Sequence, residues 1–345
     1  MRDSRRRIVL AGLGLPLWRV GPTAWAQTQV VIRPKIGIVT FRGQTDVEQG
    51  FKSYLESQGI QPVYLEYDLA RDNSKLPGIV AALNQQKPDL VLTWGTSVTL
   101  GAVGAYAGFK PSPDVKINDA VRLNCPVVFA LVAAPVSSGI VPELQFNKRA
   151  ITGVYHVAEL ESQLQAISNY RPFKTLGMLY NPAENNSAVT HQLLEDVLKA
   201  QGKTLRVERA DLDASGKPMP DNLPQKVKAL KDAGAQWLYL PPDSFVGVHA
   251  AKTVIPAAHD LGLPTFASTE QLMDAGALIG LICSYFEVGQ FAGFKAKQIV
   301  QAKQFAGEIP VETLKTFSLV INPMKAKVLG LTPPLQMFGV AKFKS

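Results

Sequence analysis

Residues 175–187 read TLGMLYNPAENNS, and this stretch decides the fold. Residues 175–180 form a short apolar run, the pattern of a strand buried on both faces of a parallel sheet. Asn181-Pro182 stops it. Asn185, Asn186 and Ser187 then offer N-caps for a helix expected over 189–200. A strand that runs into polar residues at a helix N-terminus places free N–H groups at the carboxyl edge of a sheet. Open α/β sheets bind ligands at that edge.

Working outward, the same grammar fills the chain. Strands are expected at 35–40 (KIGIVT), 61–67, 89–94 (DLVLTW), 126–131 (PVVFAL) and 151–155. Helices are expected at 47–58, 76–86, 98–108 and 159–170. Phe51, Tyr54 and Leu55 share one face of the first helix, and Gly59 ends it. The order then repeats: Gly37 corresponds to Gly177, Gly59 to Gly202, Asp89 to Gln236, Pro126 to Pro264 and Gly153 to Gly280. Each copy closes with a helix, 159–170 in the first and 287–303 in the second. Alternating strands and helices mean βαβ units, right-handed crossovers and a parallel sheet. The fold class expected is therefore α/β, with two similar doubly wound parallel-sheet lobes joined by crossing strands and a cleft between them. Lobe 1 is expected to take 31–154 plus about 286–312. Lobe 2 takes 155–285 plus about 313–345. A tail strand at 313–322 and a short helix at 323–329 have no counterpart in the first copy. Residues 110–124 read as a polar surface excursion.

The chain has 345 residues, 46% hydrophobic and 19% charged, a globular composition. Residues 1–26 read as an export signal. Arg5, Arg6 and Arg7 form the basic region, 8–17 the apolar region, and Ala24-Trp25-Ala26 the cleavage site. Residues 4–9, SRRRIV, resemble a twin-arginine signal, which points to the periplasm by that route. The leader carries five arginines and one aspartate, so its removal takes the formal charge from +8 to +4. The remaining lysines and arginines read as spread along the chain, which argues against nucleic acid. Cys125 and Cys283 fall in different copies within or beside buried strands, and are expected as two core thiols rather than a bridge.

The expected cleft receives one loop per strand. Thr96 and Ser97 sit where a helix begins and either cap it, contact an anion, or do both. Arg42 either pairs with a ligand carboxylate or is solvated. Glu184 and Asp243 either receive an ammonium group or complement the dipoles of the helices they precede. Phe41, Trp94, Tyr180, Phe245 and Tyr285 offer aromatic walls, with core packing the plainer reading for Trp94 and Tyr180. Ser268 lies in the loop after PTFA, and Asn186 and Ser187 in the opening stretch. There is no nucleophile elbow, phosphate-binding glycine loop or zinc-protease helix, and no zinc spacing. None of the four histidines falls in these loops, which leaves no evident general base. No enzyme activity, cofactor or metal is expected.

Asn181-Pro182-Ala183-Glu184-Asn185-Asn186-Ser187 matches a motif N-P-x-E-x-N-S. Further matches are Val127-Val128-Phe129-Ala130, Thr152-Gly153-Val154, Pro264-Thr265-Phe266-Ala267-Ser268, Gly276-Ala277, and Ile321-Asn322 through Gly330-Leu331. On these residues the chain resembles the extracytoplasmic solute-binding proteins of ABC importers, in the family with tryptophan- and tyrosine-binding members. The resemblance implies the type I periplasmic-binding fold, a hinged trap for a small ligand, and a membrane permease and ATPase as partners. It implies ligand contacts at Thr96, Ser97, Glu184, Asn186 and Ser187. Family members often carry Asp-Pro where this chain has Ala134-Pro135, which points to an amine-free acid unless Glu184 or Asp243 substitutes. The expectation is a monomeric, exported binding protein for an amino acid or aromatic acid. The alternatives are a ligand-sensing module for a membrane receptor and a carboxylate-dependent enzyme.

Overall fold

Two mainly parallel sheets carry the chain, and five strands of each copy follow the same order. The computed structural model describes residues 33–111 and 121–344; the leader and residues 112–120 of the polar excursion lie outside them. In the first sheet, Lys35–Thr40 lies between Val63–Asp68 and Leu90–Trp94, followed by Val127–Val132 and Ile151–Tyr155. In the second, Thr175–Tyr180 lies between Thr204–Arg209 and Trp237–Leu240, followed by Thr265–Ala267 and Ile279–Ile282. Each order reverses beside its first strand, which opens a crevice at the carboxyl ends of the first and third strands. The repeat read from the sequence is thus a repeat of topology, and the chain is α/β with two doubly wound lobes.

The central strands Leu90–Trp94, Val127–Val132 and Trp237–Leu240 are buried at every residue, as continuous apolar runs require. Val63–Asp68 and Thr204–Arg209 are edge strands and alternate in exposure.

The lobes exchange elements. Helix Leu160–Tyr170 follows the last strand of the first copy but packs into the second lobe's core, with Leu164 and Ile167 against Leu176 and Met178. Helix Tyr285–Val300 follows the last strand of the second copy but packs into the first lobe, with Val288, Ala292 and Ala296 beside Ile36 and Leu92. It lies on helix Asp46–Ser57, whose Thr45–Glu48 capping box fixes its start. The tail strand expected at 313–322 divides into two. Glu312–Thr313 extends the first sheet, and Ser318–Ile321 enters the second antiparallel to Ile279–Ile282. The described residues together form one compact unit.

Three helices start or end elsewhere than expected. The helix expected at 98–108 is Gly95–Val103, so Gly95-Thr96-Ser97 is its first turn and not a loop. Gly95, at φ +79°, turns the chain straight from strand into helix, a conformation that favours glycine. The helix expected from 189 begins at Asn185, so Asn185, Asn186 and Ser187 are its first turn rather than its caps. The closing helix starts at Tyr285 and ends at Val300. Both cysteines are free; Cys283 is buried and Cys125 half-buried.

Candidate functional site

The carboxyl ends of the two sheets meet around a small cavity of about 30 Å³, room for about one water. The first lobe supplies Trp94, Gly95, Thr96 and Leu131. The second supplies Glu184, Asn186, Pro242, Asp243, Ser244, Thr269 and Gln271. His156 and Tyr285, at the two crossings, complete it. Glu184 and Ser244 also line an outer chamber of about 730 Å³ at the mouth of the cleft, with Phe41, Ser97, Phe245 and His249.

Trp94 ends a strand and is held in place. Its Nε1–H donates to Thr45 Oγ1 at 3.2 Å, its ring stacks on Phe41 at 6.5 Å, and the Arg42 guanidinium lies 5.1 Å over its face. Arg42 therefore packs on the aromatic wall and lines neither chamber, and its Nε is buried without a partner. Leu131 reaches the cavity by a backbone device. Its φ of +56° coincides with a register shift between Ala130 and Val132 in the pairing with Ile151–Tyr155. A leucine at positive φ is strained, and bulges of this kind re-aim side chains beside functional sites.

Glu184 and Asp243 lace two loops of the second lobe together. Glu184 accepts from the Ser244 backbone N–H at 2.9 Å, from Ser244 Oγ at 2.9 Å and from Asn186 Nδ2 at 3.2 Å. Asp243 accepts from the Asn181 N–H at 2.7 Å and from the Val246 N–H at 2.8 Å. Asp243 thus caps its own helix, Ser244–His249, while Glu184 stands before one helix and its side chain caps the other. Burial, and for Glu184 the neighbouring Asp243, raise both carboxyls above the usual carboxylate range, against the opposing pull of these donors.

His156 was not among the expected cleft residues: none of the four histidines falls in the expected loops, yet His156 lines the inner cavity from a crossing and His249 lines the outer chamber. His156 follows the last strand of the first copy, and its Nδ1 lies 3.3 Å from the Val132 carbonyl. Burial holds the imidazole down to about 4, so it is neutral, and Nδ1–H donation leaves Nε2 an acceptor. Cys283 Sγ donates to the His156 carbonyl at 3.2 Å and so ties the two crossing segments together.

Of the residues expected to touch ligand, Thr96, Glu184, Asn186, Asp243 and Tyr285 line the inner cavity. Phe41 and Ser97 line the outer chamber. Tyr180, Ser187 and Ser268 line neither. Tyr180 points into the core and stacks on His191 at 5.2 Å, while Ser187 and Ser268 are fully buried. Ala134 does not line the inner cavity; it lines a separate hollow of about 360 Å³ with Tyr155 and Thr190. Ala134, outside the inner cavity, therefore gives no ground for excluding an amine there.

Among the described residues, a hydrogen bond crosses the cleft outside the cavity. Asn185 Nδ2 donates to the Ser138 carbonyl at 3.0 Å, both residues being buried. Asn185→Ala leaves that carbonyl unpaired in the closed form only, at about 1 kcal/mol. The expected result is a roughly fivefold weaker ligand with no change at the cavity. It is read by titration calorimetry, together with a larger small-angle-scattering radius for the ligand-free variant. An unchanged affinity refutes the latch.

Two doubly wound lobes closing on a polar, aromatic-walled cavity define a solute-capturing protein of the type I periplasmic-binding fold. Residues 36–342 match the family of ABC transporter substrate binding proteins, and the chain belongs to that family. It is 23% identical over 289 residues to a tyrosine-binding protein of Clostridioides difficile, covering 82% of this chain and 76% of that one. Two solved structures share the fold. One is a conserved domain protein of Vibrio cholerae, with TM-score 0.76 and 20% identity over 90% of this chain and 99% of that one. The other is a Streptococcus pneumoniae ABC domain in complex with L-Trp, with TM-score 0.73 and 21% identity over the same shares. The family is one of binding proteins, not enzymes, and its members work outside the cytoplasm with an ABC transporter. Among the described residues no helix is long and apolar enough to cross a membrane, and no acidic, histidine or cysteine cluster is placed to hold a metal ion.

Proposed function

We propose that this protein captures an aromatic amino acid, or a closely related aromatic acid, between its lobes and delivers it to an ABC importer. The observation that carries this reading is the composition of the inner cavity. Trp94 and Tyr285 wall it, the N-terminus of helix Gly95–Val103 opens onto it, and two buried carboxyl groups border it. The ligand's ring lies against Trp94 and Tyr285. Its carboxylate takes the free N–H groups and the Thr96 hydroxyl of the helix start. An ammonium group, where present, faces Glu184 and Asp243. The inner cavity has room for about one water, so capture requires the lobes to part and shut again around the ligand, a hinge motion at the crossings. The relatives support the ligand class: one is named for tyrosine and another was solved with L-Trp. Export by the twin-arginine leader would put a monomeric protein in the periplasm, where the importer opens.

The test is a thermal-shift screen of the chain from Ile32 onward against L-tryptophan, L-tyrosine, L-phenylalanine and their deaminated acids. A ligand at 100 times its Kd stabilises the fold by about 2.7 kcal/mol. At least one of these is expected to raise Tm, and Trp94→Ala is expected to abolish the shift. Stabilisation by none of them, with other solute classes active, overturns the aromatic assignment.

A further inference from the structure

The lysines of this chain are less evenly spread than the whole sequence implies. From Thr313 to the end there are Lys315, Lys325, Lys327, Lys342 and Lys344, and no acidic residue. The same stretch holds an unusual share of the exposed apolar surface. Of the thirteen large hydrophobics exposed among the described residues, six lie between Met324 and Phe343. Leu335 is 84% exposed, Val340 73% and Val328 71%; Met324, Phe338 and Phe343 are the others.

This segment is fixed, with a buried inner side. Ala326 and Met337 are buried in the second lobe's core, and Tyr170 Oη donates to the Leu331 carbonyl at 2.7 Å. Asn322 caps helix Pro323–Val328 by accepting from the Lys325 N–H. Strand Lys342–Phe343 forms the sheet edge in parallel register with Val320 and Ile321. That register sets the helix start beside Lys344, and Met324 and Val328, four apart, share a helix face. Phe338 and Phe343 rings meet at 5.1 Å, and Leu335 shares a turn with Phe338. Apolar side chains thus stand outward from an anchored base, bordered by Lys325, Lys327, Lys342 and Lys344.

We propose that this face docks the protein on an anionic phospholipid surface. Isolated exposed hydrophobics need no explanation, but a contiguous cluster marks an interaction site. The charge selects the occupant. Lysines beside protruding leucine, valine and phenylalanine suit lipid headgroups and the acyl boundary beneath them. A second copy would set the same lysines against each other. Only Lys344 has an acidic partner among the described residues, Asp274 at 2.5 Å. Docking of this kind would hold a binding protein near a membrane and confine its search for a membrane partner to two dimensions.

The experiment is co-sedimentation of the chain from Ile32 onward with vesicles of phosphatidylcholine alone and with about 30% phosphatidylglycerol. The anionic vesicles are expected to bind at least about tenfold more protein, and about 0.5 M salt is expected to remove most of that gain. Lys327→Glu with Lys342→Glu is expected to abolish the anionic preference. Leu335→Ser with Phe338→Ser is expected to weaken binding at least fivefold. All four positions are exposed, and unchanged thermal melts of the variants exclude misfolding. Equal binding to both vesicles, or none to either, overturns the proposal. So does a dimer by light scattering that Leu335→Ser dissolves without any vesicle binding, since the face then belongs to a second copy.

Discussion

Replacing Gly289 by alanine is expected to lower Tm by about 5 °C, although alanine is the better helix former. Gly289 lies in helix Tyr285–Val300, where that helix rests on Asp46–Ser57. A Cβ there would stand 2.0 Å from the Val47 carbonyl oxygen and 2.9 Å from the Phe51 nitrogen. Gly50 meets the helix from the other side, its missing Cβ 2.0 Å from the Phe286 carbonyl oxygen. Both obstacles are backbone, so no rotamer change relieves them. Helix propensity returns at most about 1 kcal/mol. Overpacking costs about 1–3 kcal/mol where side chains can yield and more where they cannot, so the clash wins by about 3 kcal/mol. In a unit of about 300 residues that is about 5 °C. Gly78→Ala is the control: nothing lies within 4 Å of its Cβ, and it should gain about 0.5 kcal/mol. Thermal denaturation of the two variants checks both signs. The defect should also weaken ligand binding, because the same helix begins at Tyr285 on the cavity wall. A Gly289→Ala protein as stable as the parent would mean that the helices separate freely at this crossing.

The two-lobed topology was legible because it rests on patterns with a period. Buried strands read as apolar runs, helices as one-sided stripes, and the second copy as the first again. The site was legible only where it lies at strand ends. Thr96, Glu184, Asn186, Asp243 and Tyr285 follow from that rule. Leu131 and His156 do not. Leucine disfavours the positive φ it adopts, so nothing local announces a bulge at Leu131. His156 reaches the cavity because its segment is held beside the Val132 carbonyl and Cys283, a tertiary fact. Helix starts failed for a related reason. Asn185, Asn186 and Ser187 look like caps in isolation, but the cap that matters runs between loops, from Glu184 to the Ser244 N–H. Local spacing cannot show which of two helices a side chain caps. The tail lysines were lost in a whole-chain average and emerge only once exposure is known.

Glu184→Gln is expected to remove a contribution to stability that falls as pH rises from about 5 to 8, so that the variant gains on the parent by about 2 kcal/mol across that window. The opposite contributions of His156 and His259, which burial holds neutral, are the same in both proteins. The sign follows from burial. In the unfolded chain the Glu184 carboxyl loses its proton near pH 4.5, whereas the folded chain holds it to higher pH. Between those values the folded state binds more protons than the unfolded state, so each rise in pH favours unfolding. Asp243 is raised by burial in the same direction, and its share remains in the variant. Glutamine keeps one carbonyl oxygen for the Ser244 N–H and cannot ionise. Thermal denaturation of both proteins across this window is the measurement, and parallel curves would show that the Glu184 carboxyl is ionised throughout. The same carboxyl distinguishes the two ligand classes. An ammonium group seated beside it favours the charged form and expels the proton. Near neutral pH, an amino acid should therefore release protons on binding, and its deaminated analogue should not. Calorimetry in buffers of differing ionisation enthalpy reads this release directly. Proton release by both ligands would place the ammonium away from Glu184. Release by the amino acid alone, lost in Glu184→Gln, would fix the ligand's orientation in the cavity.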